Sequence, residues 1–334
     1  MKKLLLFGNL LLLGLAGCAS GPPEWIDGGK SEAYPASRYL TGIGTGAQPD
    51  VAKEHARADL AKLFSYNIGQ VAEDVKRHTS KAGSDGARHI NEARIERIIS
   101  DRAEQVLSGT KIAETWRGPE TRAYYALAVL PRAQASSNIK REIDRLDNAT
   151  ALYVKRVKDE ADVLREIRAA NIALDAQVAR LAYQRTLRTI DTSEAGVPLK
   201  WDVTRLSRDL ERVLLRARIA PQVLDDTTGT LTTSTRNALS LSGFQVSDGQ
   251  SAEFILDTRL NLEKIGYRDK WYWSRGVLQV SLKERASGRE RGSVRWTIKA
   301  AGQSNSDAEQ QIATKADSLL KRQLRDVIVK FATR

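Results

Sequence analysis

The chain has 334 residues, with 53 Lys+Arg against 41 Asp+Glu and a formal net charge of +12. That length suggests about two domains, and the single cysteine, Cys18, excludes any intramolecular disulfide. Lys2 and Lys3 open the chain, and Leu4 to Ala16 then runs almost wholly apolar, broken by Asn9. This run is too short to span a bilayer as a helix, which needs roughly 20 residues. A short apolar run behind two lysines predicts a secretory signal over 1–17.

Leu15-Ala16-Gly17-Cys18 resembles the bacterial lipobox. The resemblance implies cleavage before Cys18 and a diacylglycerol in thioether linkage to its sulfur, a covalent lipid with no dissociable cofactor. The alternative for Cys18 is a buried free thiol. Each buried methylene contributes roughly 0.8 kcal/mol, so two or three acyl chains anchor stably where one holds marginally. Ala19, standing where Asp would signal retention, implies by resemblance to the Gram-negative sorting rule release to the outer membrane, facing the periplasm. Residues 18–23 form the lipidated tether, whose last five residues reach at most about 17 Å.

Without Lys2 and Lys3 the net charge is +10. Residues 19–132 carry 16 basic and 15 acidic residues, whereas residues 197–334 carry 24 and 16. The basic surplus therefore belongs to the C-terminal part.

Residues 24–132 predict a small α+β domain. Arg38–Ile43 reads as a strand entering the glycine-rich turn Gly42-Ile43-Gly44-Thr45-Gly46, and Pro49-Asp50 opens a helix carrying Val51, Ala58, Ala61, Ile68 and Val71 at helical spacing. A loop over Thr79–Arg88 precedes a second helix at about 89–107. Thr110–Trp116 and Ala123–Leu130 read as strands joined by a turn at Gly118-Pro119. Pro23-Glu24-Trp25, the Tyr39-Leu40-Thr41-Gly42-Ile43-Gly44 strand and the closing Tyr124-Tyr125-Ala126-Leu127-Ala128-Val129 are similar to the 20-kDa bacterial lipoprotein (LPP-twenty) family. Similar domains occur in outer-membrane-associated flagellar assembly proteins, which implies an assembly role.

Residues 133–195 contain neither glycine nor proline and predict one long helix, with a break near Asp147-Asn148. Ile139, Leu146, Tyr153, Ile167, Leu174 and Leu181 share one heptad register, and Ile143, Val157, Leu164 and Val178 the other. Two readings stay open: self-association as a homo-oligomer through 139–188, or a helix folded back on its own domains. Asn171 is the polar residue that register specification would use.

Residues 197–334 predict strands and helices in the order β-α-β-β-β-β-α, an antiparallel or mixed sheet backed by helices. Ala252–Lys264 alternates with Phe254, Leu256, Leu260 and Leu262 on one face. Arg236-Asn237-Ala238-Leu239, Ser242-Gly243-Phe244-Gln245-Val246 and Lys283-Glu284-Arg285-Ala286-Ser287-Gly288 resemble the α/β fold of lipoproteins that activate penicillin-binding proteins or build curli secretion pores.

Gly42-Ile43-Gly44-Thr45-Gly46-Ala47 meets a loose dinucleotide fingerprint, but no second parallel strand with a ribose-binding acid follows. His55, His78 and His89 do not space as metal ligands, and Asp225-Asp226 lies where a turn favours Asp. These patterns predict a non-enzyme. The segment Tyr267–Arg275 interleaves Trp271 and Trp273 with Arg268, Lys270 and Arg275, and Arg289 and Arg291 would enlarge its basic rim. Tryptophan and arginine anchor protein interfaces; the competing reading puts both tryptophans in the core. The overall expectation is an envelope assembly factor with a protein partner and no nucleic acid, or alternatively a regulator of a peptidoglycan synthase.

Overall fold

The computed structural model describes residues 21–26, 28, 31–81, 92–191, 196–226 and 229–332. The protein is α+β, with two open sheets backed by helices. It divides into two compact units, Met1–Leu60 with Gly109–Pro131, and Ala61–Ser108 with Arg132–Arg334. The helices after Leu60 thus cluster with the C-terminal residues, where the sequence places them in the 24–132 domain.

In the first unit, β1 (Tyr39–Gly46), β2 (Lys111–Arg117) and β3 (Tyr124–Pro131) form an antiparallel sheet in the order β1-β3-β2. The glycine-rich stretch lies inside β1 and is not a turn. Gly42 and Gly44 sit opposite Ala128 and Ala126, and the start of α1 (Pro49–Lys81) packs on this strip of small residues. A Cβ on Gly42 would collide with the Ala56 carbonyl oxygen, and one on Gly44 with the Ala52 carbonyl oxygen. The three-glycine pattern therefore lets a helix lie directly on a strand. The other face carries Leu127 and Val129 against Trp25, whose Nε1 donates to Glu114 Oε2 at 2.7 Å.

The second unit continues α1 and adds α2 (Glu92–Ser100) and α3 (Ala103–Val106), so the helix expected at 89–107 is interrupted at Asp101-Arg102; residues 82–91 lie outside the described residues. The expected long helix is two: α4 (Arg132–Asp159) and α5 (Val163–Ile190). Arg132 at the start of α4 donates to the Thr189 and Ile190 carbonyls at the end of α5, while Gln177 donates to Asp147 and Thr150. The pair is an antiparallel hairpin. Its reversal falls at residues 160–162, not at Asp147-Asn148, because Asp162 caps α5 by accepting from the Leu164 and Arg165 amides. Ile139, Ile143, Leu146, Ile167, Leu174 and Val178 are all buried within this unit. These positions pack among the chain's own helices, as the fold-back reading expects, while Tyr153, Val157 and Leu181 of the same registers are half-buried. Asn171 bonds Asp175 and accepts from Arg325, an intramolecular role.

The elements α6 (Val203–Leu214), β4 (Arg218–Asp226), α7 (Leu231–Leu241), β5 (Gln245–Val246), β6 (Phe254–Arg268), β7 (Trp271–Glu284), β8 (Glu290–Gly302) and α8 (Asn305–Phe331) follow. The sheet order is β5-β4-β6-β7-β8, parallel at β5-β4-β6 and antiparallel at β6-β7-β8. Leu256, Leu260, Leu278, Val280, Leu282, Ile298 and Ala300 are buried on the helix-covered face. Gly276 and Gly292 meet Ile312 and Phe331 of α8 so closely that a Cβ would clash. The opposite face, with Arg259, Asn261, Arg295, Thr297 and Lys299, is exposed.

Candidate functional site

The segment Tyr267–Arg275 forms the tip of a hairpin. Alternation carries β6 and β7 past their neighbours: pairing with β4 stops at Leu260, and β8 ends opposite Tyr272. Among the described residues, 261–268 therefore have β7 on one side and no strand on the other. The two-residue loop Asp269-Lys270 has φ of 53° and 68°, the doubly left-handed pattern of a type I′ turn, without the glycine such turns favour. Lys270 in that region carries strain that a glycine would not.

A register shift between Lys264 and Gly266 bulges Ile265 out of the ladder, and Gly266 supplies the required φ of 128°. Tyr267 and Tyr272 face each other with ring centroids 4.9 Å apart. Trp271 is 44% exposed and Tyr267 63%, so neither fills the core. Trp273 is half-buried, and its Nε1 donates to the Arg268 carbonyl at 3.3 Å. Arg268 reaches Asp269 at 3.3 Å and Arg275 reaches Glu263 at 3.3 Å, both exposed pairs of small energetic weight. Arg268, Lys270, Trp271, Trp273 and Arg275 are thus brought together at one end of the sheet. Ile265, which joins Tyr267 in the apolar part of the tip, was missed in the sequence because only the bulge turns it outward.

Arg289 and Arg291 do not join them. They follow the β7–β8 turn, at the far end of β7, about 40 Å from the tip at the usual strand rise. Arg289 pairs with Glu284 at 2.7 Å. Arg291 is 2% exposed and its guanidinium binds Asp162 Oδ2 at 2.6 Å and Glu284 Oε1 at 2.8 Å. A bulge between Leu282 and Lys283 pairing turns Arg291 inward, so it is a structural ion pair and not part of a basic rim. Hydrogen bonds from Arg291, Ser287 and Arg289 hold the Glu284 carboxyl down to about 2.

Cys18, the lipobox and His89 lie outside the described residues. His55 Nδ1 sits 2.6 Å from the Thr45 carbonyl oxygen at the end of β1. Asp226 accepts from the Leu231 and Thr232 amides, capping α7, the backbone role expected of that stretch. Among the described residues no group of three or more His, Cys, Asp or Glu could hold a metal ion, and no helix is long and apolar enough to cross a membrane.

Residues 23–131 match the family described as LPP20 lipoprotein. No curated protein matches the chain. Among solved structures it is similar to the secreted protein HP1454 from Helicobacter pylori, at 11% identity over 85% of this chain and 97% of that one, with a TM-score of 0.43. A minor lipoprotein from Acinetobacter baumannii matches at 15% identity over 35% of this chain and 93% of its own, with a TM-score of 0.25. Rare lipoprotein B from Shewanella oneidensis matches at 11% identity over 34% and 91%, with a TM-score of 0.24.

Proposed function

We propose that this chain, which carries an LPP20 lipoprotein domain over residues 23–131, is a lipid-anchored assembly factor of the bacterial cell envelope that binds a protein partner without catalysing a reaction. The anchor is diacylglycerol on Cys18, held on the periplasmic face of the outer membrane, and a flagellum-associated complex is the most concrete setting. One observation carries the binding role: the β6–β7 tip holds Ile265, Tyr267 and Trp271 in solvent beside Arg268 and Lys270. An exposed aromatic and aliphatic cluster rimmed by cations has the composition of an interface centre. A solvated surface would not maintain it at the expense of a strained loop.

An aromatic photo-crosslinking side chain, which keeps the ring contact, placed at Trp271 of the full chain in its host tests this. The reading expects a discrete adduct with an envelope-assembly protein, abolished by Tyr267→Ala with Ile265→Ser. A peptidoglycan synthase in the adduct would support the alternative, a regulator of that enzyme. Absence of any adduct at Trp271, with adducts at the exposed Thr297 instead, would overturn the tip as the contact.

A further inference from the structure

We propose that the half-open pocket between α2, α5 and α8 is a binding site for a phosphate group. It measures about 240 Å³ and is lined by Arg94, Arg97, Arg168 and Lys330, with Ala93 and Val329 supplying its apolar wall. Among the described residues, Asp326 is the sole carboxylate in that lining. Three separate helices thus converge four cations on one space.

The local sequence explains the convergence. Ile95 and Ile99 are buried and fix α2 against the unit, which leaves Arg94 and Arg97, three residues apart, on one flank of the helix. Arg168 stands between buried Ile167 and Ala169 on α5, and Lys330 lies one turn beyond Asp326 on α8. Arg94 is oriented from behind: its Nε binds Asp175 Oδ2 at 2.7 Å, and that carboxylate is 1% exposed. Beneath, Arg325 donates to Asn171, which in turn donates to Asp175. Arg325 is buried, and its Nε and Nη1 have no hydrogen-bond partner among the described residues.

The lining itself brings four cations to one carboxylate, Asp326, with Arg94 already paired to Asp175 behind it. Like charges gathered in a concave, partly desolvated site repel one another and raise the local positive potential. An anion relieves that repulsion. Guanidinium forks match the oxygens of a phosphate bidentately, and several converging forks suit a tetrahedral dianion better than a planar carboxylate. The volume admits one phosphate with a short attached group. The phosphate could be free inorganic phosphate or the headgroup of a phospholipid; the same contacts would hold either.

Calorimetric titration of the full chain with inorganic phosphate and with glycerol 3-phosphate, at ionic strength held constant with chloride, tests the site. Saturable binding of either supports it, and the tighter ligand identifies the source. Arg97→Gln and Arg168→Gln should each weaken binding about tenfold, the worth of one charge-assisted contact. Arg97→Lys with Arg168→Lys should fall between, since charge is kept and the fork lost. Arg268→Gln, at the distant hairpin tip, should leave affinity unchanged. Heat release no greater than with chloride, or equal loss from Arg268→Gln and Arg97→Gln, would overturn the proposal.

Discussion

Arg291 on β8 donates to Asp162 at 2.6 Å across the fold, so the residue that caps α5 also receives the buried cation of the sheet. Burial pushes the Asp162 carboxyl up, and the bonds from Arg291, Arg165 and Leu164 outweigh it and hold it below the usual carboxylate range. One carboxylate therefore fixes both the reversal of the helical hairpin and the docking of β8 on it. Removing the guanidinium leaves Asp162 and Glu284 without their shared partner. Arg291→Ala should cost about 3 kcal/mol, the scale for breaking a buried pair from one side. Arg289→Ala, which breaks an exposed pair, should cost under about 1 kcal/mol. Urea denaturation of both variants checks the contrast; equal midpoints would refute the assignment.

Asp175 makes a pH dependence of the opposite kind to that of Glu284. Burial raises its carboxyl to about 7, against attraction from Arg94 and with repulsion from Asp326 adding to the rise. Between its ordinary value of 3.8 and about 7 the folded state binds a proton there that the unfolded chain has released. Stability from this group is therefore present below pH 4 and lost as pH climbs through 7, at up to about 1.4 kcal/mol per pH unit. Glu284, depressed to about 2, contributes stability above pH 4.5 that disappears as pH falls toward 2. Chemical denaturation across pH 4–8 should show the neutral-side decline, and Asp175→Asn should flatten it. An unchanged slope in Asp175→Asn would assign the decline elsewhere.

The approach of α1 to β1 leaves no room for a methyl group at Gly44. Gly44→Ala should destabilise the protein by about 1–3 kcal/mol, as overpacking does. Gly69→Ala, with open space at its Cβ and a helical backbone, should stabilise slightly. Thermal unfolding followed by circular dichroism separates them, and equal effects at both positions would contradict a glycine-mediated helix–strand contact.

At the hairpin tip, Lys270→Gly should raise stability by about 1 kcal/mol by relieving the left-handed φ. Trp271→Ala should leave the melting temperature nearly unchanged, because the ring is 44% exposed, while abolishing partner capture. A large melting shift in Trp271→Ala would place the indole in the core after all.

Much of this architecture was legible where local signals act alone. The alternation of Phe254, Leu256 and Leu260 marked β6, and Gly118-Pro119 marked the turn between β2 and β3. The helical reversal was not, because neither glycine nor proline announces it; the signal is Asp162, an N-cap set among residues that could equally continue a helix. The heptad in 139–188 marks helices without saying what covers them. Helix α5 is buried nearly all round by α4, α6 and α8, so its apolar positions belong to the core of this unit. Arg291 reads in sequence as one more surface cation; its burial depends on a bulge and on a carboxylate 129 residues away. The cationic cavity escaped for a similar reason: Arg94, Arg168 and Lys330 are distant in the chain and meet only once α2, α5 and α8 are packed.

The lipid anchor is the part of the proposed function on which location and partner both depend. Intact-mass measurement of the protein purified from host membranes addresses it directly, alongside Cys18→Ser. The account predicts a chain beginning at Cys18 with the added mass of a diacylglyceryl group, and a Cys18→Ser form that keeps residues 1–17 and carries no lipid. An unmodified Cys18, or a Cys18→Ser protein of the same processed mass that fractionates with membranes as before, would contradict it.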